Sequence, residues 1–227
     1  MTVKFYNKYQ LHKCCADDDL RIAMNFVHFM NGYAYATNAH VIVRVALTEM
    51  IEDCTPEIVE MLNNHSISAK NYARIIRHKQ VELTPDGFVY NNEYDRVETL
   101  YRMYEIGEGN VIKDYYDKNS TYSEHQPRIP DMERVLPTEK DILVPIGAIG
   151  VNLASLNNVS AGMGGENNKR IETLDLYFTG DSRAIICKKT FYGDNHMEDA
   201  IGLVMPCIID TFEYNLKKCN NKTVESK

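Results

Sequence analysis

The sequence predicts an α+β fold in which antiparallel sheets carry helices on one face. Three observations predict it. Asn31-Gly32 separates two apolar, strand-forming runs, the strongest short-range hairpin signal a sequence offers. Val41, Val43 and Val45 alternate with Ile42, Arg44 and Ala46, which suits a strand buried on at least one face. One plan, a short helical pattern followed by a strand, a tight turn and another strand, recurs three times along the chain, and such recurrence points to repeated βα-plus-hairpin units.

In the first unit, residues Asn7 to Asp18 read as a short helix, Ile22 to Met30 as a strand, Asn31-Gly32 as the turn and Tyr33 to Ala46 as the return. In the second, Ser68 is the expected N-cap of a helix from Ala69 to Arg77. Gln80 to Leu83 then leads through Pro85-Asp86-Gly87 into Phe88 to Tyr90, with a further strand over Arg96 to Ile106. In the third, Ile142 to Val144 reads as a strand and Ile146 to Leu156 as an apolar helix. Leu174 to Phe178, a turn at Thr179 to Ser182, Ala184 to Cys187 and Ile201 to Met205 complete it. Gly107 to Arg128 and Ser160 to Arg170 read as loops, and Leu216 to Lys227 as a polar tail.

Bulk properties narrow the function classes. At 227 residues, 44% hydrophobic and 25% charged, the chain buries a core without disulfides or metal. It has no apolar run of transmembrane length, and its N-terminus lacks the apolar stretch of a signal peptide, so the expected location is the cytoplasm. The six cysteines form no Cys-x-x-Cys pair and read as reduced, mostly buried thiols. A formal net charge of −7 is atypical of nucleic-acid binders, so contact with DNA requires a local basic stripe.

Three segments carry a family resemblance. Tyr35-Ala36-Thr37-Asn38-Ala39-His40-Val41-Ile42, Ile129-Pro130-Asp131-Met132-Glu133-Arg134-Val135-Leu136-Pro137 and Gly202-Leu203-Val204-Met205-Pro206-Cys207-Ile208 occur in that order. They resemble three segments of the bacterial DNA polymerase sliding clamp, the beta-type processivity clamp. The resemblance spans roughly residues 2 to 209 and implies the DNA-clamp architecture. It implies a clamp-like domain over 1–137, similar to the family's second domain, half a clamp domain over 138–209, similar to the latter half of its third, and a polar tail over 210–227. In the family these segments line one hydrophobic pocket that takes short linear peptides with Leu or Phe anchors. The resemblance therefore implies a pocket of Met24, Thr37, Ala39, His40, Ile42, Pro130, Arg134, Val135, Val204, Met205, Pro206 and Cys207. Apolar Met, Val, Ile and Pro with a few polar groups suit such a ligand. Asn38 and Ala39 in place of Asp-Gly, Val41 in place of an Arg, and Ile208 in place of an Arg near the family's end are departures that remove polar groups from the rim. For Arg134 a structural salt bridge is the competing reading, and for His40 packing or capping within the sheet.

Clamp helices offer Lys and Arg to the phosphate backbone. Lys70, Arg74 and Arg77 fall at i, i+4 and i+7 on one stripe, with Lys79 beyond them, while Tyr72, Ile75 and Ile76 face the core. The helix dipole also favours cations at that end, so a purely structural reading stands beside the DNA-facing one. Lys4, Lys8, His12 and Lys13 form a weaker set, and the third helical segment has no basic residue.

His12, Cys14 and Cys15 lack the second ligand pair a zinc site needs. Asp17-Asp18-Asp19 reads as a solvated turn, since consecutive carboxylates point apart, and Gly162 to Gly165 reads as a loop without phosphate-binding context. Neither a catalytic set, a metal nor a cofactor is expected, and a metal-dependent enzyme at Asp17–Asp19 is the weakest reading. The leading expectation is a non-enzymatic tether. It holds double-stranded DNA without sequence specificity and recruits polymerase or repair proteins through the peptide pocket. The alternative is an interaction module that keeps the pocket without encircling DNA. The third unit leaves an unmatched sheet edge, so a homo-oligomer, or packing of the third unit on the second, is also expected.

Overall fold

The computed structural model describes residues 1–17, 20–92, 97–115, 127–136, 150–164, 172–178, 183–191 and 200–207. The strands are β1 (Thr2–Val3), β2 (Phe26–Met30), β3 (Tyr33–Thr37), β4 (Val41–Ala46), β5 (His65–Ser68), β6 (Val81–Thr84), β7 (Gly87–Asn92), β8 (Val97–Gly107), β9 (Val111–Ile112), β10 (Glu172–Tyr177), β11 (Ile185–Phe191) and β12 (Ala200–Val204). The α-helices are α1 (Leu47–Met50), α2 (Pro56–Leu62), α3 (Ala69–Ile75), α4 (Met132–Val135) and α5 (Leu153–Gly162), with 3-10 turns at Leu11–Cys14 and Ile22–Asn25. The strands join in the order β1-β6-β7-β8-β5-β2-β3-β4-β12-β11-β10, with β9 added to the end of β8. Every described pairing of these strands is antiparallel. The architecture is therefore a large antiparallel sheet with few, short helices, richer in strand than evenly repeated βα units would be.

Pleating sorts the side chains between the two faces. Val27 and Phe29, Ala34 and Ala36, and Val41, Val43 and Val45 point into the main core, where Ile58, Leu62, Tyr72, Ile75 and Val159 from α2, α3 and α5 meet them. Phe26, Tyr35 and Ile106 point the other way and pack with Ala23, Ile129 and Met132 in a second cluster. Most helices thus lie on one face as expected, but α4 and the Ile22–Asn25 turn cover the opposite one. Each fully buried Phe, Leu or Ile on either face stabilises by about 1.5–3 kcal/mol.

The Asn31-Gly32 hairpin forms as read, with φ of 52° and 79° at its two central residues. The return run from Tyr33 to Ala46 is two strands, not one. Asn38 breaks it: its side-chain oxygen accepts from the backbone N–H of His40 at 3.0 Å and of Val41 at 3.1 Å, and Ala39 turns left-handed at φ 73°. The helix expected over Asn7 to Asp18 is only the Leu11–Cys14 turn, and the expected strand start at Ile22 is a 3-10 turn. Ser68 caps α3 as expected by accepting from Asn71 N–H at 3.3 Å, but the helix stops at Ile75. The third helix runs past its expected end at Leu156, and residues 146–149 of the expected span lie outside the described residues. It runs from Leu153 to Gly162 because Asn152 caps it, accepting from Ala154 and Ser155. α1 and α2 went unread, as did β9 within the expected loop over Gly107 to Arg128. The expected strand at Ile142–Val144, the turn at Thr179–Ser182 and the tail from Asp210 lie outside the described residues.

Among the described residues, the third unit packs on the first and not on the second. β12 pairs with β4, placing Leu203 opposite Ile42 and Val204 opposite Val41. α5 lies against the Leu11–Cys14 turn: Gln10 N–H donates to Ala161 C=O at 3.0 Å, and the Cys14 thiol donates to Asn158 C=O at 3.1 Å. Close approach of α5 to β12 depends on Gly202, where a Cβ would stand 2.3 Å from Val159 Cγ1.

Candidate functional site

Register and two tethers bring parts of the expected pocket together on the sheet face away from α3 and α5. Thr37, Ile42 and Leu203 occupy one row across β3, β4 and β12. Met205 continues beyond β12, and its N–H donates to His40 C=O at 3.0 Å. His40, Ala39, Met205 and Cys207 are exposed, with Met205 at 43%. Cys207 in turn donates its N–H to Gly150 C=O at 2.8 Å. Pro206 is half-buried between them.

The second tether comes from α4. Asp131 caps this single turn by accepting from Arg134 N–H at 3.2 Å, while Met132 is buried beneath it. Glu133 then reaches down to the sheet. It accepts a hydrogen bond from the Tyr35 hydroxyl and pairs with Arg44 Nη1 at 3.4 Å. The Arg44 guanidinium also lies 4.5 Å from the centre of the Tyr33 ring. Burial first, and then the Glu133 carboxylate, push the Tyr35 phenol above its ordinary range, so it stays a hydrogen-bond donor. Arg134 and Val135 are left exposed on the outer side of α4, Val135 at 50%, and Pro130 is half-buried.

Three expected pocket residues do something else. Val204 is buried and points with Val41 into the main core, because the pleat puts its neighbour Leu203 on the Ile42 face. Thr37 is 2% exposed and its hydroxyl donates to Val41 C=O at 2.7 Å, closing the Asn38 turn. Met24 sits on the 3-10 turn over β2, two strands from β4. That turn is latched by His28, whose Nε2 bonds Ala23 C=O at 2.9 Å and whose Nδ1 bonds Ser66 Oγ at 2.8 Å. Tyr35, Arg44, Glu133 and Leu203 were missed. The pairing of Tyr35 with Arg44 across β3 and β4 becomes legible only once register is known.

On the opposite face, α3 presents Lys70 and Arg74 to solvent, with Tyr72, Ile75 and Ile76 buried as expected. Arg77 and Lys79 are exposed too, but they lie on the turn after the helix, held by Arg77 N–H to Arg74 C=O at 3.1 Å and His78 N–H to Ile75 C=O at 3.0 Å. Of the weaker set, Lys4 is paired with Glu52 at 2.8 Å. Burial lowers His12, with Lys13 and Arg77 adding to the effect. No basic residue occurs on α5. Of the Asp17–Asp19 run, Asp18 and Asp19 lie outside the described residues. Among the described residues no group of three or more His, Cys, Asp or Glu is arranged to hold a metal ion, and no helix is long and apolar enough to cross a membrane.

No protein-family model matches the chain, and no curated protein does. Among solved structures, the DNA polymerase sliding clamp from Bacillus subtilis is similar at 10% sequence identity and a TM-score of 0.37. That similarity covers 94% of this chain and 67% of the clamp chain.

Proposed function

We propose that this protein is a clamp-like tethering module that docks short linear peptides of polymerase or repair proteins on the outer face of β4 and β12. The observation that carries the reading is convergence. Segments around His40, Glu133 and Met205, remote in sequence and each similar to a clamp pocket segment, meet on one sheet face through the Met205–His40 backbone bond and the Glu133 tether. Exposed Met205 and Val135, with half-buried Ile42, supply apolar surface for Leu or Phe anchors. Action at such a site is by tethering, with no bond made or broken and no cofactor.

The DNA half of the reading draws on the exposed Lys70, Arg74, Arg77 and Lys79, which suit phosphate contact without base readout. On this reading several copies assemble around duplex DNA. The absence of basic residues from α5 favours a second reading, a peptide-docking module that does not encircle DNA.

Titration of a Leu/Phe-anchored clamp-binding peptide tests the first claim. The unaltered chain is expected to bind it. Met205→Asp is expected to weaken binding at least tenfold, about 1.4 kcal/mol, by forcing a charge into the apolar contact, with thermal melting unchanged. Binding that ignores both Met205→Asp and Val135→Asp would sink the proposal. Light scattering and salt-dependent duplex binding separate the two readings: an oligomer whose DNA affinity falls with salt supports the tether, a monomer without DNA affinity the module.

A further inference from the structure

Lys70, Arg74, Arg77 and Lys79 are exposed, and none forms an ion pair with a described residue. The His12 ring lies 6.3 Å from that of Tyr72 on α3, and exposed Lys13 follows His12 on its turn, so the patch reaches the Leu11–Cys14 turn. Arg74 acts on Tyr101, which brings the same patch to β8. In a chain of net charge −7, these cations, which pair with no described residue, mark a local positive field.

Beside those cations stands a ring stack. His78 lies 3.7 Å from Tyr90, centre to centre, with the planes only 12° apart. Its Nε2 shares a hydrogen bond of 2.8 Å with the Tyr101 hydroxyl, which fixes the imidazole in place. Burial holds His78 below its ordinary titration range, so the ring stacks as a neutral imidazole and the charge is left to the arginines and lysines. Strand register adds the remainder. Tyr90 is opposite Thr99 and Asn92 opposite Val97, and alternation puts all four on the face of the sheet that carries α3. Val97 is 55% exposed there and Tyr90 half-buried. The result is a shelf of aromatic and apolar carbon bordered by guanidinium and ammonium groups.

A duplex keeps its bases stacked inside and offers this shelf only phosphates. An unpaired strand offers phosphates and free base faces together, which is what a cationic border and a ring platform match. We propose that the shelf binds single-stranded nucleic acid, with a base laid on the His78–Tyr90 pair and flanking phosphates on Arg74, Arg77 and Lys79. The proposal rests on the DNA-facing half of the reading above and changes the ligand of those cations from a paired to an unpaired strand.

Fluorescence anisotropy with an oligothymidylate and with a duplex of equal length, on the full chain, tests it. The single strand is expected to bind more tightly. Tyr90→Ala is expected to weaken single-strand binding about tenfold, Tyr90→Phe to retain it, and neither to change duplex binding. An Arg74→Ala, Arg77→Ala variant is expected to weaken both. A strand carrying 2-aminopurine is expected to lose emission on binding the unaltered protein, a readout independent of how any variant folds. Duplex binding at least as tight as single-strand binding, affinity indifferent to Tyr90→Ala, or unquenched emission overturns this inference and leaves the duplex reading standing. Absence of binding to either form overturns both.

Discussion

His28 shows how one buried side chain organises a surface. It is fully buried, bonds the Ser66 hydroxyl and the Ala23 carbonyl, and so ties β2 to β5 and to the Ile22–Asn25 turn. Burial is the main cause that lowers its pKa to about 4 from an ordinary 6.5, with the Ala23 bond opposing. Between those values the unfolded chain holds a proton that the folded chain refuses. Stability is then highest above pH 6.5 and falls as pH drops toward 4, by roughly 3 kcal/mol for this group alone. Burial pushes His12 and His78 in the same direction. Urea unfolding between pH 7.5 and pH 4.5 checks the sign, and His28→Gln is expected to flatten the slope. A slope unchanged by that substitution would rule out His28 as the group. None of this was legible in the sequence, where His28 is one histidine in an apolar run. Its role depends on Ser66, which sequence separation hides.

Elements held by capping and turn chemistry were legible, because those signals are local. Asn31-Gly32, the Ser68 cap and the alternation over Val41–Ala46 all act within a few residues. The errors came where a single side chain competed with a pattern. Asn38 split one strand into two, and Asn152 sets the start of α5 at Leu153, within the apolar stretch that suggests a helix. α5 also tests how tightly the layers meet. At Gly202 an added Cβ meets Val159 at 2.3 Å and Met163 Sδ at 3.1 Å, and at Gly162 it meets Cys14 Sγ at 2.9 Å. Gly202→Val is therefore expected to cost roughly 1–3 kcal/mol or more by forcing α5 off β12, whereas Ile201→Val on the other face costs less than about 1.5 kcal/mol. Chemical denaturation midpoints check the pair. Equal losses would mean that α5 does not rest on Gly202.

At the scale of the whole molecule, the β4–β12 pairing decides the architecture. It makes residues from both ends of the chain share one sheet, so β4 is an interior strand rather than an edge. A chain ending at residue 137 would expose the N–H and C=O groups of Val41–Ala46 along an apolar strand. That fragment is expected to aggregate or to unfold at lower denaturant than the full chain, read by light scattering and circular dichroism. A soluble fragment of full stability would show that the two parts fold independently. The same pairing draws Met205 to His40, so the proposed docking face is built on the seam that joins the two parts of the sheet. The basic shelf, on the other face and beyond α3, is independent of that seam, and changes there are expected to leave peptide affinity alone.

By itself, the sequence determined the antiparallel hairpins, the amphipathic α3 with Lys70 and Arg74 outward, and the three segments that resemble clamp pocket segments. Each of these is written in spacing, turn chemistry or residue order over short stretches. Only the tertiary structure decided which of those residues share a face. Strand side chains alternate with a period of two, so the register of β12 against β4 turned Val204 inward and Leu203 outward. Long-range pairing likewise gave Glu133 its partners on β3 and β4 and set His78 on Tyr90. Contacts between remote strands are fixed by the burial of the whole sheet, and no local run of residues records them.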